Sequence, residues 1–352
     1  MYSILDGFGT PEDIIKRAKE LQFEAIAITD HASVDGLIKF QRVAKKEEIQ
    51  LICGCEMYIV PNVYDKKAGE KRKHITLWVK NHDGWQNLLK MLTIANAEGF
   101  YYRPRIDPNI LLEHVQGLAI GTACASTFVD SEWGVELLNS LLQQTEVFGE
   151  VMPFDEEGKK RINNIILDYA EQFNFPIIAT NDAHYIQEED SIVQETMLAI
   201  QSKKDWNDPT RWKFNVTGLY MKTMQEMVEA FKIQGVLNRR QIQTALKNTA
   251  LVKELCEDFR IEQVDVELPR VPQVVDSGLT DKQYLQNLIE HGFNNIVTEE
   301  HDLYQDRVDE ELKLIYEKKF EKYFLIVWEI VQWCNNNDIM VGPGRGSAGG
   351  SL

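Results

Sequence analysis

The chain reads as an α/β protein: a mostly parallel sheet or barrel, followed by a smaller, mainly helical region. Three observations predict this. Short apolar runs of β type alternate with helix-period segments through the first half. Several of those runs finish in residues that bind metals or protons. Beyond a Pro-rich boundary near residue 265 the β-type runs cease and helical patterns take over.

Taken in order, Thr10, Pro11 and Asp13 open a helix, with Thr as N-cap, Pro at the first position and an acid three residues after the cap. Ile14, Ile15, Ala18 and Leu21 give it one apolar face. A β-type run over 24–29 ends in Asp30 and His31, and a helix is expected over 34–46. An apolar run over 49–53 leads to Gly54, Cys55 and Glu56. A strand over 74–79 begins, rather than ends, with a histidine, and a helix follows over 84–97. Runs over 117–122 and 176–180 are strands, the first just before Cys124 and the second before Asp182 and His184. The segment 145–150 is strand-like; its Glu150 either faces a cleft or caps a turn. Helices are expected over 190–202, 224–231 and 239–256, with a strand or turn over 214–222. Pro269, Pro272 and Gly278 mark the boundary, and helices over 307–319 and 321–336 follow. The last is apolar nearly all round, which predicts a largely buried helix; the alternative is an exposed, partner-binding one.

In a β/α barrel, residues at the C-terminal strand ends share one face, and chemistry collects there. His31, Glu56, Cys124, Asp182 and His184 could therefore converge on metal ions although far apart in sequence. His74, at the start of its run, does not fit this rule simply. Each residue has a plainer reading. Asp30 and His31 could cap a helix, Asp182 could make an Asx turn, and Cys124 could be a small buried hydrophobe. Cys53 and Cys55 have no second pair and read as core. His82, His114, His291 and His301 have no partner pattern and read as surface or structural.

A hydrophobic content of 44% is enough for real cores. The net charge of −17 disfavours a free-standing nucleic-acid-binding module, which would show a basic face. Five scattered cysteines imply no disulfide framework, so a reducing cytoplasm is expected. The start of the chain lacks the pattern of a signal peptide, and no run is long and apolar enough for a membrane span. The last twelve residues hold five glycines with Arg345, Ser347 and Ser351 among them. Glycine lets backbone N–H groups approach an anion, and the guanidinium and hydroxyls add donors suited to phosphate. The alternative is a flexible linker, which Pro343 and Arg345 argue against. A phosphate loop would pass to a helix, so the chain reads as cut within it.

Tyr2-Ser3-Ile4-Leu5-Asp6-Gly7, Ile28-Thr29-Asp30-His31, Gly54-Cys55-Glu56, His74-Ile75-Thr76-Leu77, Gly99-Phe100-Tyr101-Tyr102-Arg103-Pro104-Arg105-Ile106-Asp107 and Thr180-Asn181-Asp182-Ala183-His184-Tyr185 carry a resemblance. In that order they resemble the polymerase-and-histidinol-phosphatase (PHP) domain of bacterial C-family replicative polymerases, the DNA polymerase III alpha subunits. The resemblance implies a distorted seven-stranded β/α barrel. It places metal ligands on Asp6, His31, Glu56, His74, Cys124, Asp182 and His184, with Zn2+ or Mn2+ as candidate ions. The family carries either His or Cys where Cys124 stands. Its first motif opens with His-x-His upstream of the Tyr-Ser segment, which this chain lacks, so a full three-metal site is not expected from these residues.

The segments 307–315, 323–328 and 341–352 are similar to the opening of the palm domain of the same polymerases. Their Gly-Ser loop grips the triphosphate of the incoming nucleotide, and the matching positions are Gly344, Arg345, Gly346, Ser347, Gly350 and Ser351. The family has Ala where Gly349 stands. The aspartates that hold Mg2+ follow this loop in the family, beyond Leu352, so the chain alone is not expected to polymerise. The implied partners are primer-template DNA, dNTP, the sliding clamp and a proofreading exonuclease, in the cytoplasm and with no membrane. Two further readings compete. One is a PHP-type phosphoesterase acting on phosphate esters or mismatched primer ends through His31, Glu56, Asp182 and His184. The other is an inactive metal-stabilised scaffold that docks replication subunits.

Overall fold

A computed structural model describes residues 6–66, 72–214, 216–262, 267–342 and 351–352. The chain divides into two compact units, residues 1–262 and 263–352. In chain order the first holds α1 (Pro11–Glu20), β1 (Ala25–Ile28), α2 (Leu37–Lys46), β2 (Gln50–Ile59), β3 (Lys73–Val79), α3 (His82–Ala97), β4 (Arg105–Ile106), α4 (Pro108–Glu113), β5 (Leu118–Gly121), α5 (Glu132–Leu141), β6 (Val147–Val151), α6 (Glu157–Phe173), β7 (Ile177–Ala179), α7 (Ser191–Ser202), α8 (Met224–Gln234) and α9 (Arg239–Leu255). The second holds α10 (Pro272–Ser277), α11 (Asp281–Ile296), α12 (His301–Glu317) and α13 (Glu321–Asn336).

Local sequence explains much of this. Thr10 and Asp13 form a reciprocal capping box at the start of α1. α2 starts at Leu37 rather than 34, because Gly36 precedes it and offers no side-chain cap. β2 is twice as long as the apolar run suggested. Gly54 and Glu56 interrupt the run as read in sequence, yet both lie on one face of a continuous strand. A Cβ at Gly54 would come within 2.6 Å of the Leu77 carbonyl oxygen, so only glycine fits there.

The seven strands form one curled, half-barrel sheet ordered β1-β2-β3-β5-β6-β7, with β4 paired to β2. It is mixed rather than wholly parallel, because β3 runs against both β2 and β5. The other pairings are parallel. The outer face packs on α1, α2, α3, α6 and others in the main core, which includes Cys53, Cys55 and Met57 of β2. All five cysteines are free.

The inner face is layered. At the bottom Ile52, Trp78, Ala119, Phe148 and Ile178 pack against Val252 and Cys256 at the end of α9. Two residues up each strand, on the same face, lie Gly54, Thr76, Gly121, Glu150 and Thr180. Two further up stand Glu56, His74 and Asp182. An apolar plug thus supports a polar layer, and the polar layer supports the cluster described below.

In the second unit Val271, Val274, Leu285, Ile315 and Leu325 form a small core. Here the expectation for the last helix is corrected. In α13 only Leu325 is buried, whereas Tyr323, Val327, Ile330 and Trp333 are exposed within the unit. A helix apolar around its whole circumference can bury only the stripe its neighbours reach, and here that stripe meets α11 through Trp328 and Tyr284.

Candidate metal centre

The reversal of β3 accounts for the histidine that opens its strand. Antiparallel pairing sets His74 opposite Tyr58, near the end of β2, so the start of β3 meets the ends of the parallel strands. His31 follows β1 and bridges to Glu56. Ala32 just after it, Ala123 beside Cys124, and Asp182 all have positive φ, at 45°, 60° and 47°. Such kinks turn the chain sharply as each strand ends, in a conformation that non-glycine residues adopt only when their surroundings enforce it.

Seven side chains form one continuous set of contacts. His74 Nδ1 lies 2.8 Å from Glu56 Oε1 and 3.3 Å from Cys124 Sγ. His31 Nδ1 lies 3.7 Å from Glu56 Oε2, and its Nε2 lies 3.4 Å from Asp6 Oδ2. His184 Nε2 is 3.9 Å from Asp6 Oδ1. His184 Nδ1 is 3.6 Å from Asp182 Oδ1 and 2.7 Å from the Asp182 backbone oxygen. A carbonyl can only accept, so Nδ1 carries a proton, and Nε2 faces Asp6. The His31, Glu56 and His74 ligand atoms all lie within 4.8 Å of one another.

The field of this cluster is negative. Burial opposes charge on His74, yet its hydrogen bonds to Cys124 and Glu56 and the charge of Glu56 hold its pKa well above the usual value. Burial likewise works against a charged His184, but Asp182 and Asp6 raise its pKa. Burial pushes Glu56 up, and the His74 hydrogen bond with the charges of His31, His74 and His184 outweighs it, leaving the carboxylate below its normal range. Cys124 is raised by burial and by Glu56. One layer down, burial and the charge of Glu56 push Glu150 up to about 7, against the hydrogen bond from the Ala123 N–H and the nearby Thr76 hydroxyl.

The donor set fits a metal ion. Imidazole, carboxylate and thiol donors converge at a part-buried point, and a divalent ion there would balance the charge of the carboxylates. Ligand atoms about 2.0–2.3 Å from a tetrahedral ion stand roughly 3.3–3.7 Å apart. Of the contacts above, His74 to Cys124, His31 to Asp6, His31 to Glu56 and His184 to Asp182 match that spacing, and His74 to Glu56 is shorter, a direct hydrogen bond.

Sequence reasoning missed Tyr58, whose ring stacks on His31 at 5.3 Å and 11°. The signal was its place two residues beyond Glu56, on the same face of the strand. Glu150, with two readings open from sequence, faces inward beneath the cluster and accepts from the Ala123 N–H at 2.8 Å. His82 is exposed on α3, while His114, His291 and His301 make local contacts with Ile110, Asn295 and Phe293. Of the expected triphosphate loop, Gly344, Arg345, Gly346, Ser347 and Gly350 lie outside the described residues. Ser351 is described, and its hydroxyl donates to Glu311.

A curled β/α sheet with imidazoles, carboxylates and a thiol gathered at its strand ends defines a half-barrel with a candidate metal centre. The PHP domain model matches residues 1–183, more than half of the chain, and the chain belongs to the PHP domain family. Residues 283–352 match the bacterial DNA polymerase III alpha NTPase domain. Over its whole length the chain is similar to the DNA polymerase III alpha subunits of Borreliella burgdorferi (34% identity, 31% of that protein) and Treponema pallidum (31% identity, 30% of that protein). It therefore spans about a third of the length of these relatives. A solved structure from Bifidobacterium adolescentis, provisionally described as a metal-dependent phosphoesterase, aligns at a TM-score of 0.37 and 12% identity over 64% of this chain and 92% of that one, too distant to bear on function. No helix among the described residues is long and apolar enough to cross a membrane.

Proposed function

We propose that this chain is part of a template-directed DNA polymerase of the DNA polymerase III alpha type, and that its PHP half-barrel is a metal-dependent centre for hydrolysing phosphoesters at DNA ends. The observation that carries the hydrolytic reading is the convergence of Asp6, His31, Glu56, His74, Cys124, Asp182 and His184. His31, Glu56 and His74 would hold the first ion, with Asp6, Cys124, Asp182 and His184 completing the set. A bound Zn2+ or Mn2+ would neutralise phosphate charge and acidify a water. Glu150 keeps its proton up to about pH 7, which limits the negative charge beneath the site. In the polymerase, Gly344, Arg345, Gly346, Ser347, Gly350 and Ser351 would grip the triphosphate of a dNTP, in a reaction that uses Mg2+. Primer-template DNA, a sliding clamp and a proofreading exonuclease are the partners of this reading, and the cytoplasm its place.

A second reading, an inactive scaffold, is favoured by one observation. His74 and Glu56 already satisfy each other at 2.8 Å, as a buried structural pair would. Mass-spectrometric metal content together with a hydrolysis assay on phosphate esters and primer ends separates the two, since protein that holds metal but hydrolyses neither would favour the scaffold. The hydrolytic reading expects stoichiometric zinc or manganese in the purified chain, lost in both His31→Ala and Asp182→Ala. A metal-free parent protein that also fails to take up either ion on dialysis would leave only the scaffold.

A further inference from the structure

We propose that the turn over 100–103, together with Arg72, is a docking platform that receives a single-stranded DNA end beside the metal centre. This rests on the hydrolytic reading above and adds to it the residues that would hold the strand.

Along one edge of β2 the partners run in order: Ile28 opposite Cys53, His31 opposite Glu56, Arg105 opposite Tyr58. The chain arriving at β4 therefore passes beside His31. Just upstream, the Tyr101 N–H donates to the Arg103 carbonyl at 3.1 Å and closes a tight turn. Tyr102 at its tip has φ +59°, and its side chain is 75% exposed. Phe100 is exposed as well. A bulky residue holds a left-handed φ only where its surroundings impose it, and such outliers gather at functional sites. Buried Arg105 anchors the base of this turn. Its guanidinium and Nε donate to the carbonyls of Gly99, Val63 and Asp65, and it lies 5.3 Å from the Tyr101 ring. A buried guanidinium is thus used to fix a turn whose tip faces solvent.

Arg103 and Arg72 are exposed, and the Arg72 guanidinium lies 5.7 Å from the Tyr58 ring, which itself stacks on His31. Tyr64 is held apart by its bond to Glu98. Exposed rings alternating with guanidiniums are the chemistry that grips single strands, with bases stacking and phosphates paired. On a chain of net charge −17, these two arginines at the edge of an acidic cluster mark where a phosphate backbone is admitted.

The test is fluorescence anisotropy with a labelled oligodeoxythymidine of about 12 nucleotides, on the whole chain in chelator, with a salt titration. Tyr102→Gly relieves the positive φ, so it should leave thermal stability equal or higher while weakening binding at least about fivefold. Arg103→Ala should weaken binding and lower the salt slope by about 0.7. That combination supports the platform, whether or not the parent chain cleaves the oligonucleotide when manganese is added; absent cleavage counts against the hydrolytic reading alone. No binding by the parent chain, or equal affinity and slope in both variants, overturns the platform and leaves the exposed rings to a protein partner.

Discussion

Glu150 carries the clearest pH signature of any single residue. Its carboxyl is buried under the cluster, and Gly121 makes room for it, since a Cβ there would come within 2.2 Å of Oε1. Burial raises its pKa from 4.5 to about 7 in the folded chain. The folded state therefore holds a proton that the unfolded state releases. The stabilisation this gives is full below about pH 4.5 and is lost as pH rises through about 7, a loss of about 3 kcal/mol. Glu150→Gln keeps an acceptor for the Ala123 N–H and removes the ionisation. In chelator, its urea midpoint relative to the parent should rise steadily between those limits and stand above the parent at pH 8. A difference that is flat with pH would mean that Glu150 is ionised at no cost. The sequence showed a glutamate in a strand but could not say which face it took, because its register is set by pairing with β5 and β7.

At the scale of elements, the end of β6 is held by a buried amide network. Asn163 of α6 accepts from the Met152 N–H at 3.1 Å and donates to the Met152 carbonyl at 2.8 Å. It also donates to Gln234 of α8, which in turn donates to the carbonyls of Met152 and Phe154. Asn163→Ala would strand buried backbone groups, so a loss of about 2–3 kcal/mol in urea unfolding is expected. A loss within the range of a surface substitution would show that water replaces the amide. Elements differ in how legible they were. α1 could be read from Thr10, Pro11 and Asp13 because a cap is local chemistry. The direction of β3 could not, because a strand reads the same either way along a sheet, and only its pairing with β2 and β5 brings His74 to the ligand edge.

At the scale of the whole chain, the two units differ in what they bury. The first carries a large core on the outer face of the sheet and a second on its inner face. The second unit, about a quarter of the chain, has a core of only five buried apolar side chains among the described residues. Urea unfolding should therefore show two transitions, the second unit melting first. Near-ultraviolet circular dichroism can follow it through Trp328 and Trp333, and a fragment of residues 1–262 should retain the later transition alone. One cooperative transition for the whole chain would mean that the small unit does not unfold on its own.

The sequence by itself determined the alternation of strands and helices, the caps and the chemical types at the strand ends. It also carried the resemblance to the PHP domain, through motifs between Tyr2 and Tyr185, and the resemblance of the later segments to the opening of the polymerase palm. These are properties of composition, period and local hydrogen bonding, and they need no knowledge of what lies across the sheet. Only the tertiary structure decided that β3 reverses, that Glu150 points beneath the cluster, that Tyr58 stacks on His31, and that one side of α13 stays uncovered within its unit. Each of these depends on a partner distant in sequence, or on the lack of one within reach. A side chain's face, neighbours and charge state are set by such partners, not by the residues beside it in the chain.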